Sequence, residues 1–349
     1  MKRIFILFFI IVLASCGNKD VITTTTNQTT NQTTNKTESN AVLYVGDEYD
    51  FAYKNYQLSN DNIIIRNKKI IAKKPGQTKL ECIIDNEKYI VILDIYEDDL
   101  QEFEEFIYEY QMKEDYSFMV YGGYSGYSYK RSRDDFYFMM EDQDIIEALI
   151  KTKTKARPGT KRKIEWIVIH DTGNISKTAD AKNHSNYITN LAIQNNTSLS
   201  WHYTVDQSSI YQHIPDDEIA WHAGDGTKDI GANGYYLGGG NKNGIGIEMC
   251  VNQGNDIILT MKKCASLAVD LCLEYDLSLD RIKTHSDFAK KLCPYTVLYN
   301  NLWDDFMMMV QSEYLRKTKF IDFTIKEVSG GYEIKNLNSK RTKTIKIEA

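Results

Sequence analysis

The feature that most constrains this chain is the run Trp166-Ile167-Val168-Ile169, closed by His170 and followed at once by Asp171-Thr172-Gly173. Four apolar residues without a polar alternation read as a strand covered on both faces, and such a strand sits in a sheet with helices packed against it, an α/β arrangement. A histidine at the end of that strand, beside a glycine turn, stands where ligands gather in an α/β sheet. A second short strand, Arg281-Ile282-Lys283-Thr284, also ends in a histidine, His285, and Cys293-Pro294 follows on a loop before a helix expected over residues 299–314. Two imidazoles and one thiolate leave a tetrahedral Zn²⁺ one open position, the pattern of a catalytic rather than a structural zinc site.

Five blocks in order then bear on family: Ile167-Val168-Ile169-His170-Asp171-Thr172-Gly173-Asn174, Trp201-His202-Tyr203-Thr204-Val205-Asp206, Ile219-Ala220-Trp221-His222-Ala223-Gly224, Gly244-Ile245-Gly246-Ile247-Glu248-Met249-Cys250, and Thr284-His285-Ser286-Asp287 with Lys291-Leu292-Cys293-Pro294. Over residues 163–298 the chain resembles the type 2 N-acetylmuramoyl-L-alanine amidases, a family of phage endolysins, bacterial autolysins and peptidoglycan recognition proteins. The resemblance implies a mixed central sheet flanked by helices, a zinc ion in a surface groove, and cleavage of the amide between N-acetylmuramic acid and L-alanine in peptidoglycan. It also implies roles for particular residues. His170, His285 and Cys293 match the zinc ligands, Glu248 matches a glutamate used beside the metal as a general base, and Lys291 matches a lysine that stabilises the oxyanion. His222, Trp221 and Tyr203 are expected to line the substrate groove, whereas His202 is read as packed or hydrogen-bonded inside a strand, and His184, on a polar-rich helix, and His213, on a hairpin strand, are not read as ligands.

The remaining cysteines do not suggest a disulfide framework. Cys264 and Cys272 lie eight apart on a helix expected over residues 260–275, about 12 Å along its axis and too far to bond. Buried free thiols are the expectation for both, and for Cys82 and Cys250.

Ahead of the amidase-like region, Lys2 and Arg3 precede an apolar run over residues 4–14 that ends in Leu13-Ala14-Ser15-Cys16. This has the charge order of a secretory signal and resembles the lipobox of bacterial lipoproteins, which implies cleavage before Cys16 and its acylation. Residues 1–15 are thus read as a signal peptide and residues 16–40, rich in Thr and Asn, as a flexible spacer. Residues 41–97 read as short strands separated by turns at Asn67, Pro75-Gly76 and Asp85-Asn86. With Val45-Gly46-Asp47, Ile70-Ile71-Ala72 and Pro75-Gly76-Gln77-Thr78, they resemble a small all-β bacterial Ig-like sandwich, a wall contact or a rigid spacer. Residues 98–162 read as a connector, with an amphipathic helix over 97–110, a Tyr/Gly-rich stretch over 116–129 whose rings pack or stack on sugars, and a second helix over 144–150. The amidase domain is placed at residues 163–315, and a basic β tail at 316–349.

Charge separates the partner classes. Lys and Arg number 42 against 48 Asp and Glu, a net charge of −6, which argues against nucleic acid as a partner. The expected partners are peptidoglycan and a membrane reached through the lipid anchor, and the expected location is the extracytoplasmic face of the cell membrane. The alternative is a non-catalytic peptidoglycan-binding lipoprotein or adhesin, which would bind wall fragments without turning them over.

Overall fold

The computed structural model describes residues 37–84, 87–132, 135–226, 228–229 and 236–346. The expectations for the signal peptide, for Cys16, for most of the Thr/Asn-rich spacer and for the Asp85-Asn86 turn lie outside the described residues. The described chain divides into two compact units. One runs to Phe106 and resumes at Asp322, and the other spans Ile107–Ile321.

In the first unit, the alternation of Ile, Val and Tyr produces two sheets. A four-stranded sheet is ordered Thr37–Tyr44, Glu87–Tyr96, Gly76–Ile84, Tyr56–Leu58, and a three-stranded sheet is ordered Glu48–Asp50, Lys69–Ala72, Ile63–Arg66. Leu43, Ile63, Ile70, Leu80 and Leu93 form their common core. The last strands, Phe323–Val328, Gly331–Asn336 and Thr342–Ile345, make an antiparallel sheet that belongs to this same unit. The tail expected over residues 316–349 therefore does not stand apart. Phe323 packs on Phe103, and Arg341 reaches Asp98, Asp99 and the Tyr44 ring.

The second unit is built on a six-stranded mixed sheet, ordered Ile145–Glu147, Ile210–Gln212, Tyr203–Val205, Gly244–Met249, Trp166–Asp171, Ile282–Thr284. The apolar run of the sequence is the strand flanked by the parallel partners Gly244–Met249 and Ile282–Thr284. Its period-two geometry sends Ile167 and Ile169 to one face and Trp166, Val168 and His170 to the other. The first face is covered by the helices Ile257–Glu274 and Trp303–Thr318 through Met261, Leu267, Phe306 and Met309. On the second face Trp166 and Val168 meet Ala223 and Phe288. Asp256 caps the first of these helices by accepting from Leu259 N, and Asp180 caps the helix Ala181–Gln194 by accepting from Asn183 N.

The helix expected over residues 144–150 is instead the edge strand Ile145–Glu147, parallel to Ile210–Gln212. Seven residues are too few to nucleate a free helix, and the Ile145-Ile146 pair favours strand. The backbone is satisfied by the sheet edge, with Ala148 N donating to Gln212 O and Ile150 N to His213 O. Nor is the connector over residues 98–162 an independent segment from Ile107 onward. Its Tyr-rich part forms a hairpin of Tyr116–Gly122 and Ser125–Arg131, whose Tyr116, Val120 and Tyr129 enter the core of the second unit.

Candidate metal centre

Sheet geometry brings the two histidines together. His170 lies beside Glu248 in the register of the central strands, and Ile169 lies beside Thr284, so His285 begins one residue beyond the same sheet edge. His285 Nδ1 stands 3.0 Å from His170 Nδ1, and Cys293 Sγ stands 3.8 Å from that same nitrogen. The three candidate ligand atoms all fall within 4.8 Å of one another, and among the described residues His170, His285 and Cys293 are the group that could hold a metal ion. For tetrahedral zinc with Zn–N near 2.05 Å and Zn–S near 2.3 Å, the nitrogens should lie roughly 3.3 Å apart and nitrogen and sulfur roughly 3.6 Å apart. The observed spacings agree with both to within a few tenths of an ångström, and a borderline-soft ion suits an N₂S donor set.

Hydrogen bonding fixes which nitrogens are free to ligate. His222 Nε2 lies 3.0 Å from the Gly244 carbonyl, which only accepts, so the His222 proton is on Nε2 and its Nδ1 is an acceptor. His170 Nε2, 3.0 Å from that Nδ1, must then donate, which leaves the His170 Nδ1 lone pair facing His285 and Cys293. His285 likewise donates to the Ala223 backbone. Both imidazoles are thus held as the tautomer a metal needs. Burial holds His170 far below the ordinary histidine range, with His222 adding to the effect. Burial and then the Lys291 charge hold His285 down to about 4. The Cys293 thiol is pushed up by burial, then by Glu248 and Asp171, so a cation is what would favour its thiolate.

Cys293 is tied to the loop after His285: its backbone N donates to Ser286 Oγ, and Ser286 N donates to the Cys293 carbonyl. Asp171 turns the other way and accepts from Thr296 N at 2.7 Å, pinning the helix that follows Cys293. Glu248 reaches within 4.0 Å of His170 Nδ1 through Oε1, while its Oε2 is buried without a hydrogen-bond partner. Burial, reinforced by Asp171 and opposed by Lys291, pushes its carboxyl up to about 8. A carboxylate beside a ligand cluster with one oxygen unspent is placed to exchange a proton with something bound there.

Lys291 is exposed at the meeting of two hollows. One is an open cleft of about 580 Å³, lined by Asn174, Ser176, Asn183, Tyr187, Trp201 and Glu248 among others. The other, of about 330 Å³, is lined by Tyr121, Gly122, Gly123, Leu292, Cys293 and Tyr295 with loop 171–173.

The expected groove walls are redistributed. Tyr203 is 2% exposed in the core, because its register partner is Ile247 rather than Glu248, and its hydroxyl donates to Asp216 Oδ1. His222 is buried behind His170 instead of lining the groove. Trp221 is partly exposed but lies outside both hollows, and the tryptophan of the cleft is Trp201. The other histidines are held by contacts of their own: His202 accepts from Gly246 N, His213 Nε2 contacts Thr204 Oγ1, and His184 contacts the Asp180 carbonyl. Sequence reasoning did not single out Asn241, whose side-chain oxygen accepts from both His222 N and Ala223 N, or Ser286. The only signal for Ser286 was its place directly after a ligand histidine. Cys82, Cys250, Cys264, Cys272 and Cys293 are all free and buried.

Residues 160–296, wholly inside the second unit, match the family described as N-acetylmuramoyl-L-alanine amidase. N-acetylmuramoyl-L-alanine amidase CwlH of Bacillus subtilis (strain 168) is 38% identical over 168 residues, covering 48% of this chain and 61% of its own length. N-acetylmuramoyl-L-alanine amidase XlyA of the same organism is 36% identical over 163 residues, covering 47% of this chain and 50% of its own length. The chain thus spans about half to three fifths of these curated relatives. Among solved structures, the catalytic domain of XlyA is 35% identical, covering 48% of this chain and 99% of that one, with a TM-score of 0.42.

Proposed function

We propose that this protein is a zinc-dependent N-acetylmuramoyl-L-alanine amidase that hydrolyses the muramyl–alanine amide of peptidoglycan. The observation that carries the reading is the convergence of His170 Nδ1, His285 Nδ1 and Cys293 Sγ beside the Glu248 carboxyl, whose Oε2 has no hydrogen-bond partner. His170, His285 and Cys293 would hold the zinc, which when bound supplies Lewis acidity to the reaction. Glu248 takes a proton from the attacking water and returns it to the departing alanine nitrogen. Lys291, exposed at the cleft mouth, supplies positive charge where the carbonyl oxygen becomes an oxyanion. His222 keeps His170 in its ligating tautomer and touches no reacting atom.

The test is digestion of purified peptidoglycan with and without a chelator. New alanine amino termini should appear without new reducing termini, stop on chelation and return with zinc. Reducing termini, or chelator-insensitive cleavage, would overturn the reading, and binding without either product would favour the recognition-module alternative.

We further propose that the mature chain is tethered to the outer face of the membrane through acylated Cys16, with residues 41–97 as an Ig-like spacer. Leu13-Ala14-Ser15-Cys16 at the end of an apolar run supports this. Cys16→Ser should move the protein from the detergent phase to the aqueous phase or leave unprocessed precursor, and an aqueous-phase wild type would refute the anchor.

A further inference from the structure

The hairpin of Tyr116–Gly122 and Ser125–Arg131 lies outside the family match, yet its tip forms part of the hollow beside Cys293. Its inward tyrosines are committed to packing: Tyr116 Oη donates to Asp305, Tyr127 Oη to the Val251 carbonyl, and Tyr129 Oη to Asp256. These bonds hold the hairpin on the second unit. At the tip, a Cβ added to Gly122 would stand 2.5 Å from the Gly173 carbonyl and 3.1 Å from Ile175, so the backbone of the tip rests directly on the loop after His170. Gly123, with φ of 62°, opens the two-residue turn.

Two tyrosines are left over. Tyr121 points off the opposite face of its strand and meets Tyr295 and Tyr299 edge-on, with ring centroids 6.3 Å and 5.6 Å away. Tyr124 is fully exposed, at 111% of the reference area, and Tyr299 is 51% exposed. Aromatic rings held in water beside a cleft, with no core to fill, offer flat apolar faces with a negative quadrupole. The apolar C–H faces of pyranose rings fit such surfaces. The other hollow presents amides and hydroxyls from Asn174, Ser176 and Asn183, groups suited to the peptide backbone of a stem.

We propose that Tyr121 and Tyr124, with Tyr295, form a carbohydrate-binding subsite that takes sugar rings of the glycan strand on the Cys293 side of the metal centre. The proposal rests on the amidase reading for its choice of polymer. It makes the hairpin a specificity element supplied by this chain from outside the family domain, favouring polymeric glycan over short muropeptides.

The test measures binding without turnover. The probes are peptide-free glycan strands of defined length and, separately, a free stem tripeptide, each titrated against the full chain. Tyr124→Ala removes a side chain exposed in full, so it leaves the fold intact, and we expect it to weaken glycan binding about 3-fold. Tyr121→Leu, which keeps apolar bulk but loses the ring, should weaken it roughly 10-fold, the equivalent of about 1.4 kcal/mol, while Tyr121→Phe retains it. Stem-tripeptide affinity should not move. Failure of the wild type to bind glycan, unchanged glycan affinity in both Tyr124→Ala and Tyr121→Leu, or an equal loss on the tripeptide overturns the subsite. Tyrosine-dependent glycan binding in a protein that releases no alanine termini would sink the amidase reading and leave the subsite standing.

Discussion

Replacing His222 by Phe should weaken zinc binding without touching a ligand. The ring sits between the His170 Nε2 proton and the Gly244 carbonyl, in a site where His170 is 1% exposed. Phe conserves most of the volume but removes the acceptor. His170 then has two choices: leave a buried N–H unpaired, at about 1–3 kcal/mol, or move the proton to Nδ1, where it occupies the lone pair the metal needs. Either route charges the loss to metal affinity, and 1.4–2.8 kcal/mol corresponds to roughly 10–100-fold, the range usual for partners that orient a ligand histidine. The assay is competition for zinc against a chromophoric chelator, with activity recovering at saturating zinc. His222→Gln, whose amide can accept from one side and donate to the other, should recover part of the affinity. Gly246→Ala is an independent route to the same defect, since a Cβ there would lie 2.6–2.8 Å from three ring atoms of His222. Zinc affinity within twofold of wild type in a cooperatively folded His222→Phe would refute the tautomer argument.

Glu248→Gln should keep zinc and wall-fragment binding while slowing hydrolysis roughly 10²–10⁴-fold, the usual contribution of a positioned general base; an unchanged rate with zinc intact would remove Glu248 from the mechanism. Cys293→Ala should lose most bound metal by elemental analysis together with activity, whereas His202→Ala should retain metal because His202 is spent on Gly246 N. Arg157→Met leaves the Glu218 carboxylate, 5% exposed, without its two-pronged partner at 2.8 and 3.0 Å, and should cost about 3–5 kcal/mol in a thermal melt. Arg157 holds the Glu218 carboxyl below its ordinary 4.5, so this stabilisation is complete above that pH and fades as the pH falls through the lowered value. The stability difference between wild type and Arg157→Met should therefore shrink as the pH falls below about 4.5, and parallel pH profiles would refute the pairing.

How much of the site was legible depended on whether a residue's role is fixed by its own strand. His170 closes an apolar strand and His285 follows a second short one, so position marked both as candidate ligands, whereas Glu248 was marked only by the family resemblance of its Gly-Ile-Glu block. Tyr203 was misplaced because its face depends on which residue lies beside it. Paired with Ile247 it enters the core, and a shift of one would have turned it to the cleft. His222 was misassigned for a different reason. It belongs to no strand, and its loop is held under the sheet by residues distant in sequence, by Asn241, whose side chain accepts from the backbone of both His222 and Ala223, and by Ser200, which bonds the backbone of Trp221. The hairpin over residues 116–131 showed itself as a Tyr/Gly cluster, but its anchors Val251, Asp256 and Asp305 lie more than a hundred residues away, beyond the reach of local pattern.

The block Gly244-Ile245-Gly246-Ile247-Glu248 shows what the alternation conceals. Read as sequence it is a half-buried strand with isoleucines inward and small residues outward. In the fold both faces are buried, and the glycines are small for reasons of packing. A Cβ at Gly244 would meet the Gly240 carbonyl and Val168, and one at Gly246 would meet the His222 ring. The vacancy at Gly246 admits the imidazole that orients His170 from behind, and the Gly244 carbonyl is the acceptor that sets that imidazole's own proton. Only at Glu248, where the strand reaches its end beside His170, does the same face carry a side chain, and that side chain is the carboxyl with an oxygen unspent. The two glycines thus belong to the candidate metal centre as much as its three ligand candidates do, because they decide which nitrogen of His170 faces His285 and Cys293.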